Sequence, residues 1–147
     1  SYGMISPYAA MDGLEENELL SLTTVGFYDV LYTLYYVEPV KWAAANGIVK
    51  GVSETEFAPN ADVTREQAAA FMLRYANFQK YDVTVKDNLA SFTDAGSVSG
   101  WAKDAVQWAV GAKLIVGTTK TTIAPKGTAT RAQVATILMR FCENVAK

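Results

Sequence analysis

The sequence predicts a mainly α-helical chain built from repeated helix-loop-helix units, and three observations carry that prediction. First, the stretch Thr64-Arg65-Glu66-Gln67-Ala68-Ala69-Ala70-Phe71-Met72-Leu73-Arg74-Tyr75 returns as Thr130-Arg131-Ala132-Gln133-Val134-Ala135-Thr136-Ile137-Leu138-Met139-Arg140-Phe141. Second, each copy opens on Thr-x-x-Gln, in which the threonine hydroxyl accepts from the N–H three residues on and the glutamine reaches back to the threonine N–H. This capping box marks a helix start. Third, apolar residues follow at i, i+3, i+4, i+7: Ala68, Phe71, Met72 and Tyr75 in one copy, Val134, Ile137, Leu138 and Phe141 in the other. Each capped helix is expected to bury that stripe.

The segments ahead of the capped helices repeat as well. Phe27-Tyr28-Asp29-Val30 corresponds to Phe92-Thr93-Asp94-Ala95, and a first helix follows, expected over 36–46 and 101–112. Val40, Trp42 and Ala43 match Val106, Trp108 and Ala109 at a constant offset of 66. Pro39 falls near the helix start, where its missing N–H costs little. Ile48-Val49-Lys50-Gly51 and Leu114-Ile115-Val116-Gly117 then close on glycine, which suggests a left-handed or tightly packed turn. Phe57-x-Pro59 and Ile123-x-Pro125 lead into the caps, proline keeping the residue before it extended. In the connection 76–91, the brief alternation over 81–85 is consistent with a short extended piece.

Laid under these copies, Ile5-Ser6-Pro7 aligns with Phe57-Ala58-Pro59, and Asp12 aligns with Thr64. Residues 12–24 therefore read as a degenerate capped helix, with Leu19 and Leu20 on its stripe, Glu16 interrupting it and Gly13 where the others have arginine. The organisation expected is a partial repeat over 1–26 and full repeats over 27–80 and 81–147, together forming one domain. A helix-loop-helix unit cannot bury its own stripe, so neighbours must pack together.

Composition narrows the function. The chain has 147 residues, 50% of them hydrophobic, enough for a real core. A formal net charge of −2 argues against a general polyanion binder, so nucleic acid is not an expected partner. Histidine is absent, which removes Ser-His-Asp and Cys-His catalysis and the commonest zinc ligand. The acids Glu15, Glu16, Asp29, Glu54, Glu56 and Asp94 form no pair singled out by spacing for glycoside hydrolysis, and no calcium-loop spacing occurs. Neither an enzyme nor a metal or cofactor site is expected. No run approaches the roughly 20 apolar residues of a membrane span. The single cysteine, Cys142, just past the last stripe, reads as a half-buried structural thiol.

Both capped helices carry an arginine immediately after the cap, Arg65 and Arg131, among N–H groups at the positive end of the helix dipole. Such a corner favours an anion. Trp42 and Trp108, on repeated amphipathic helices, read as core residues, or as walls of a groove in which an indole stacks on a pyranose.

The ordered set Phe-x-Asp, Val-x-Trp-Ala, Gly-Ile-Val-x-Gly, Phe-x-Pro and Thr-Arg-Glu-Gln resembles the S-layer homology repeat, over 27–76 and 92–141 and more weakly over 1–26. The resemblance implies a bundle of repeats with pseudo-threefold symmetry. It also implies a bacterial cell-surface location and non-covalent anchoring to an acidic or pyruvylated secondary cell-wall polysaccharide, with other surface or S-layer proteins as further partners. Carried over by position, Arg65 and Arg131 match the family's ligand-facing arginine and Thr64 and Thr130 its cap, while Trp42, Trp108, Gly51 and Gly117 become candidate groove residues. Asp29 and Asp94 are expected to fix local backbone geometry. Gly13, Ala132 and Ile123 depart from the pattern, leaving two anion-competent corners. The alternative is an assembly module that binds another surface protein or itself through Tyr32, Tyr35 and Phe78.

Overall fold

The computed structural model describes residues 26–31 and 34–147. Among them it is helical: α1 (Val37–Ala45), α2 (Arg65–Phe78), α3 (Lys103–Gly111) and α4 (Arg131–Asn144), with 3-10 turns at Ala95–Ser97 and Gly100–Ala102 and no strand. The helical repeat architecture expected from the sequence is therefore present. The degenerate copy over 12–24, with Gly13, and Tyr32 of the assembly alternative lie outside the described residues. The chain divides into two compact units, Ser1–Ala61 and Asp62–Lys147.

In the first unit, Phe27, Val30, Val37 and Val40 form a small core, with Tyr36, Ala44 and Phe57 packed on it. The Asp29 carboxylate explains how the segment after α1 is held. It accepts the N–H of Phe57 at 2.8 Å and of Ala58 at 2.7 Å. Ala58 has φ +57, a left-handed conformation costly for a side chain with a Cβ, so these bonds stabilise a strained turn.

The second unit repeats the device. Asp94 accepts the N–H of Ile123 at 2.9 Å and of Ala124 at 2.8 Å, and Ala124 has φ +52. The Ile123 N–H, opposed by burial and aided by the Ala124 N–H and the Arg65 charge, holds the Asp94 carboxyl below its ordinary range. The aspartates do fix backbone geometry, but across 28 to 30 residues rather than locally.

Both predicted capping boxes form. Thr64 Oγ1 accepts from Gln67 N at 3.2 Å and Gln67 Oε1 from Thr64 N at 2.9 Å, with 3.2 and 3.0 Å for the Thr130–Gln133 pair. The buried faces differ from the predicted stripes. On α2, Ala68, Phe71, Met72 and Tyr75 are only partly covered, while Ala69, Ala70 and Ala76 are buried. Alanines let helices approach closely, and α2 packs on α3 over a core containing Ala105, Val106, Trp108 and Ala109. On α4, Ile137 and Phe141 are buried, but Val134 and Leu138 stay exposed. Phe141 stacks at 5.8 Å on Tyr75 and at 6.0 Å on Tyr81. The proposed extended piece over 81–85 is irregular backbone, and α2 runs on to Phe78.

Candidate functional site

The corner at the start of α2 is closed by protein. Thr64 pairs with Thr128 in an antiparallel bridge, and Ala129 N donates to Val63 O at 3.0 Å. The Arg65 and Glu66 N–H groups donate to the carbonyls of Gly127 (2.8 Å) and Pro125 (3.0 Å), and Gln67 N–H goes to the cap. The N–H groups expected to face an anion are therefore spent on the following repeat. Arg65 is only 6% exposed, because its guanidinium donates Nε to Ile123 O and Nη2 to Val116 O, both at 2.8 Å. Burial lowers its pKa and the nearby Asp94 charge opposes this. An arginine nevertheless stays protonated, and its fork suits two carbonyls at once. Nη1 has no bond among the described residues.

Beside Arg65, Glu66 is 3% exposed and fully paired. Oε2 accepts from Ser99 N at 3.0 Å, and Oε1 accepts from Ser99 Oγ at 2.8 Å and Lys126 Nζ at 2.7 Å. Lys126 Nζ also contacts Ser99 Oγ and keeps its side chain 58% exposed. This network ties α2, the turn before α3 and the loop before α4 together. Burial alone would raise the Glu66 pKa, but the bonds from Lys126 and Ser99 outweigh it and hold the carboxyl below its ordinary range. A depressed folded-state pKa adds stability that is present above the unfolded value of about 4.3 and is lost as pH falls through the folded value. Thermal unfolding followed from pH 7 downward should show the midpoint falling on the acid side, and Glu66→Gln should flatten that fall. An unchanged acid profile in Glu66→Gln would contradict this role.

The corner at the start of α4 is open. Arg131 and Ala132 are exposed, and neither their N–H groups nor the Arg131 guanidinium has a hydrogen-bond partner among the described residues. Only Gln133 N–H is capped, by Thr130. The two arginines that look alike in sequence thus differ in state: one is a buried clamp, the other an exposed cation at a helix N-terminus.

The remaining candidates separate too. Trp108 is 0% exposed, so it is a core residue with no face for a sugar, which corrects its reading as a groove wall. It shares a core with Ala69, Ala70 and Ala76 of α2. Trp42 is 53% exposed. Gly51 and Gly117 are explained by packing: a Cβ on Gly51 would strike the Phe27 ring and the Ser53 and Glu56 carbonyls, and one on Gly117 the Thr122 carbonyl at 2.7 Å and the Phe92 ring at 3.0 Å. The left-handed position lies earlier, at Gly47 (φ +70) and its counterpart Lys113 (φ +60). Cys142 is exposed rather than half-buried, because α4 turns that side outward. Sequence reasoning missed Trp101, 59% exposed and two residues from Ser99, although it named the counterpart at the same offset of 66, Tyr35, 93% exposed, as an aromatic of the assembly alternative. It also missed the Glu66–Ser99–Lys126 network, whose members are far apart in sequence.

Among the described residues no helix is long and apolar enough to cross a membrane. The S-layer homology domain family model matches residues 27–69 and 91–135. The chain is 34% identical over 131 residues to a surface-layer 125 kDa protein of Lysinibacillus sphaericus, covering 87% of this chain and 11% of that protein. It is 36% identical over 100 residues to an endoglucanase of Bacillus sp. (strain KSM-635), covering 68% of this chain and 11% of that protein. It is also 33% identical over 120 residues to the exoglucanase XynX of Acetivibrio thermocellus, covering 80% of this chain and 11% of that protein. The chain thus spans about a tenth of the length of these relatives. Two matched repeats, with their caps and aspartate-anchored turns formed, place the chain in the S-layer homology domain family, a cell-surface module for anchoring to the cell wall.

Proposed function

We propose that the chain anchors its parent protein non-covalently by binding an acidic, pyruvylated secondary cell-wall polysaccharide, and that it is itself non-catalytic. The partial repeat 1–26 and the repeats 27–80 and 81–147 act in this reading as one domain. The observation that carries it is the open corner of α4: an exposed guanidinium beside two undonated N–H groups at the positive end of a helix of 14 residues. A ketal-linked pyruvate carries a carboxylate, and guanidinium meets a carboxylate with two parallel N–H bonds. Thr130 fixes the helix start so that Arg131 leaves it at a defined place. At the α2 corner, where Thr64 does the same, Arg65 offers only Nη1, and Lys126 supplies the exposed charge beside it. The exposed aromatics Trp101 and Trp42 are the surfaces on which a pyranose ring can stack.

Co-sedimentation of the chain with cell-wall sacculi, before and after the acid-labile polymer is stripped, tests this. The chain should pellet with intact sacculi and stay in solution with stripped ones. Equal pelleting in both would sink the polysaccharide reading while leaving wall anchoring in place.

A further inference from the structure

The corners at the starts of α2 and α4, both in the Asp62–Lys147 unit, differ in electrostatic balance. At α2 each cation stands beside an acid. Arg65 Nε donates to the Ile123 carbonyl at 2.8 Å and Asp94 accepts from the Ile123 N–H at 2.9 Å, so attracting charges bracket one residue. Lys126 Nζ lies 2.7 Å from the Glu66 carboxylate, which is buried. The two cations and two anions leave the corner with no net charge. At α4 the counterpart of Glu66 is Ala132, and Arg131 makes no ion pair among the described residues. That corner keeps its positive charge.

What the α2 corner offers a ligand is a firmly mounted indole beside a hydrogen-bonding edge. Trp101 belongs to the 3-10 turn Gly100–Ala102, which packs against α2. The turn is held on both sides of the indole. Before it, Ser99 gives its N–H and its hydroxyl to the Glu66 carboxylate at 3.0 and 2.8 Å, and after it Ala102 is fully buried. On backbone fixed in this way, an indole supplies a large contact area and has only its own two torsions to order. An ammonium has three hydrogens to donate. Lys126 directs two of them to Glu66 and Ser99, which leaves one for a ligand. An aromatic face beside donors whose charges are cancelled matches an uncharged pyranose, with its apolar C–H face and its hydroxyls. A carboxylate would gain little there, because Glu66 repels what Lys126 attracts.

We propose that the α2 corner is a second subsite for the wall polymer, one that takes an uncharged sugar residue on Trp101 and is indifferent to pyruvate, while the Arg131 corner reads the carboxylate. This rests on the polysaccharide reading above and adds to it a division between the two corners. Binding at the Trp101 subsite is insensitive to salt, since there is no net charge to screen, whereas binding at Arg131 weakens with salt.

Titration calorimetry of the chain with wall polymer stripped of its pyruvate isolates the uncharged subsite. Affinity for this polymer should be measurable and the same, within about twofold, at low and high salt. Trp101→Ala should keep wild-type circular dichroism, because the indole is exposed, and should lower that affinity roughly tenfold, the usual cost of truncating an aromatic anchor. The charge balance is read separately in an Arg131→Ala background, where pyruvate makes no difference. Adding Glu66→Gln there removes the counter-charge of Lys126, and the double variant, shown by thermal unfolding to be folded, should regain a preference of roughly two- to fivefold for the pyruvylated polymer. Three results would each overturn the proposal: no affinity for the stripped polymer, wild-type affinity in Trp101→Ala, or a folded double variant that binds both polymers alike. If the wild-type chain still prefers the pyruvylated polymer, the polysaccharide reading survives any of them. A wild-type chain that binds neither polymer overturns both.

Discussion

Replacing Arg65 by alanine is expected to destabilise the Asp62–Lys147 unit by roughly 2–4 kcal/mol, since hydrogen bonds to a charged group contribute about 1.5–3 kcal/mol each and stranded buried acceptors add their desolvation cost. The Ile123 carbonyl, on a residue 1% exposed, and the Val116 carbonyl would both lose their donor. Arg65→Lys should recover little of this, because an ammonium cannot reach two carbonyls held in a fork geometry. Chemical denaturation of the three proteins checks it. A loss below about 0.5 kcal/mol in Arg65→Ala, the range of ordinary surface substitutions, would mean the clamp is not structural.

Arg131→Ala should behave in the opposite way. The side chain is exposed and makes no hydrogen bond among the described residues, so stability should stay within about 0.5 kcal/mol of wild type. Binding to intact sacculi should weaken by roughly 10- to 100-fold, the equivalent of losing one charge-assisted pair of about 1.5–3 kcal/mol. Quantitative sedimentation against sacculus concentration gives the number. Wild-type binding in Arg131→Ala would remove this residue from the site even if the chain still bound the polymer.

What could be read from the sequence follows from how far apart the interacting residues lie. The caps at Thr64 and Thr130 were legible because both partners sit within one turn and their geometry is set by the local backbone. Asp29 and Asp94 were legible as backbone anchors by residue type, yet their partners 28 to 30 residues away were not. Arg65 and Arg131 follow identical caps, and only tertiary packing distinguishes them: the carbonyls that capture Arg65 lie 51 and 58 residues further on. The same reason separates Cys142 from Ala76. Equal positions in a repeat have equal local structure, but their burial depends on whether the next unit is packed against them. The stripe on α2 was misjudged for another reason. A periodicity count rewards large side chains, whereas the α2–α3 contact is made through alanines.

In the proposed function, wall anchoring depends on a carboxylate meeting a guanidinium at the start of a capped helix. Titrating the chain with purified wall polysaccharide, before and after mild acid removes the ketal-linked pyruvate but leaves the polymer chain intact, measures that contact most directly. Affinity is expected to fall at least tenfold when the pyruvate is removed, and Arg131→Ala is expected to bind both forms equally weakly. Equal affinity of the wild-type chain for the two polymers would contradict recognition of the pyruvate carboxylate.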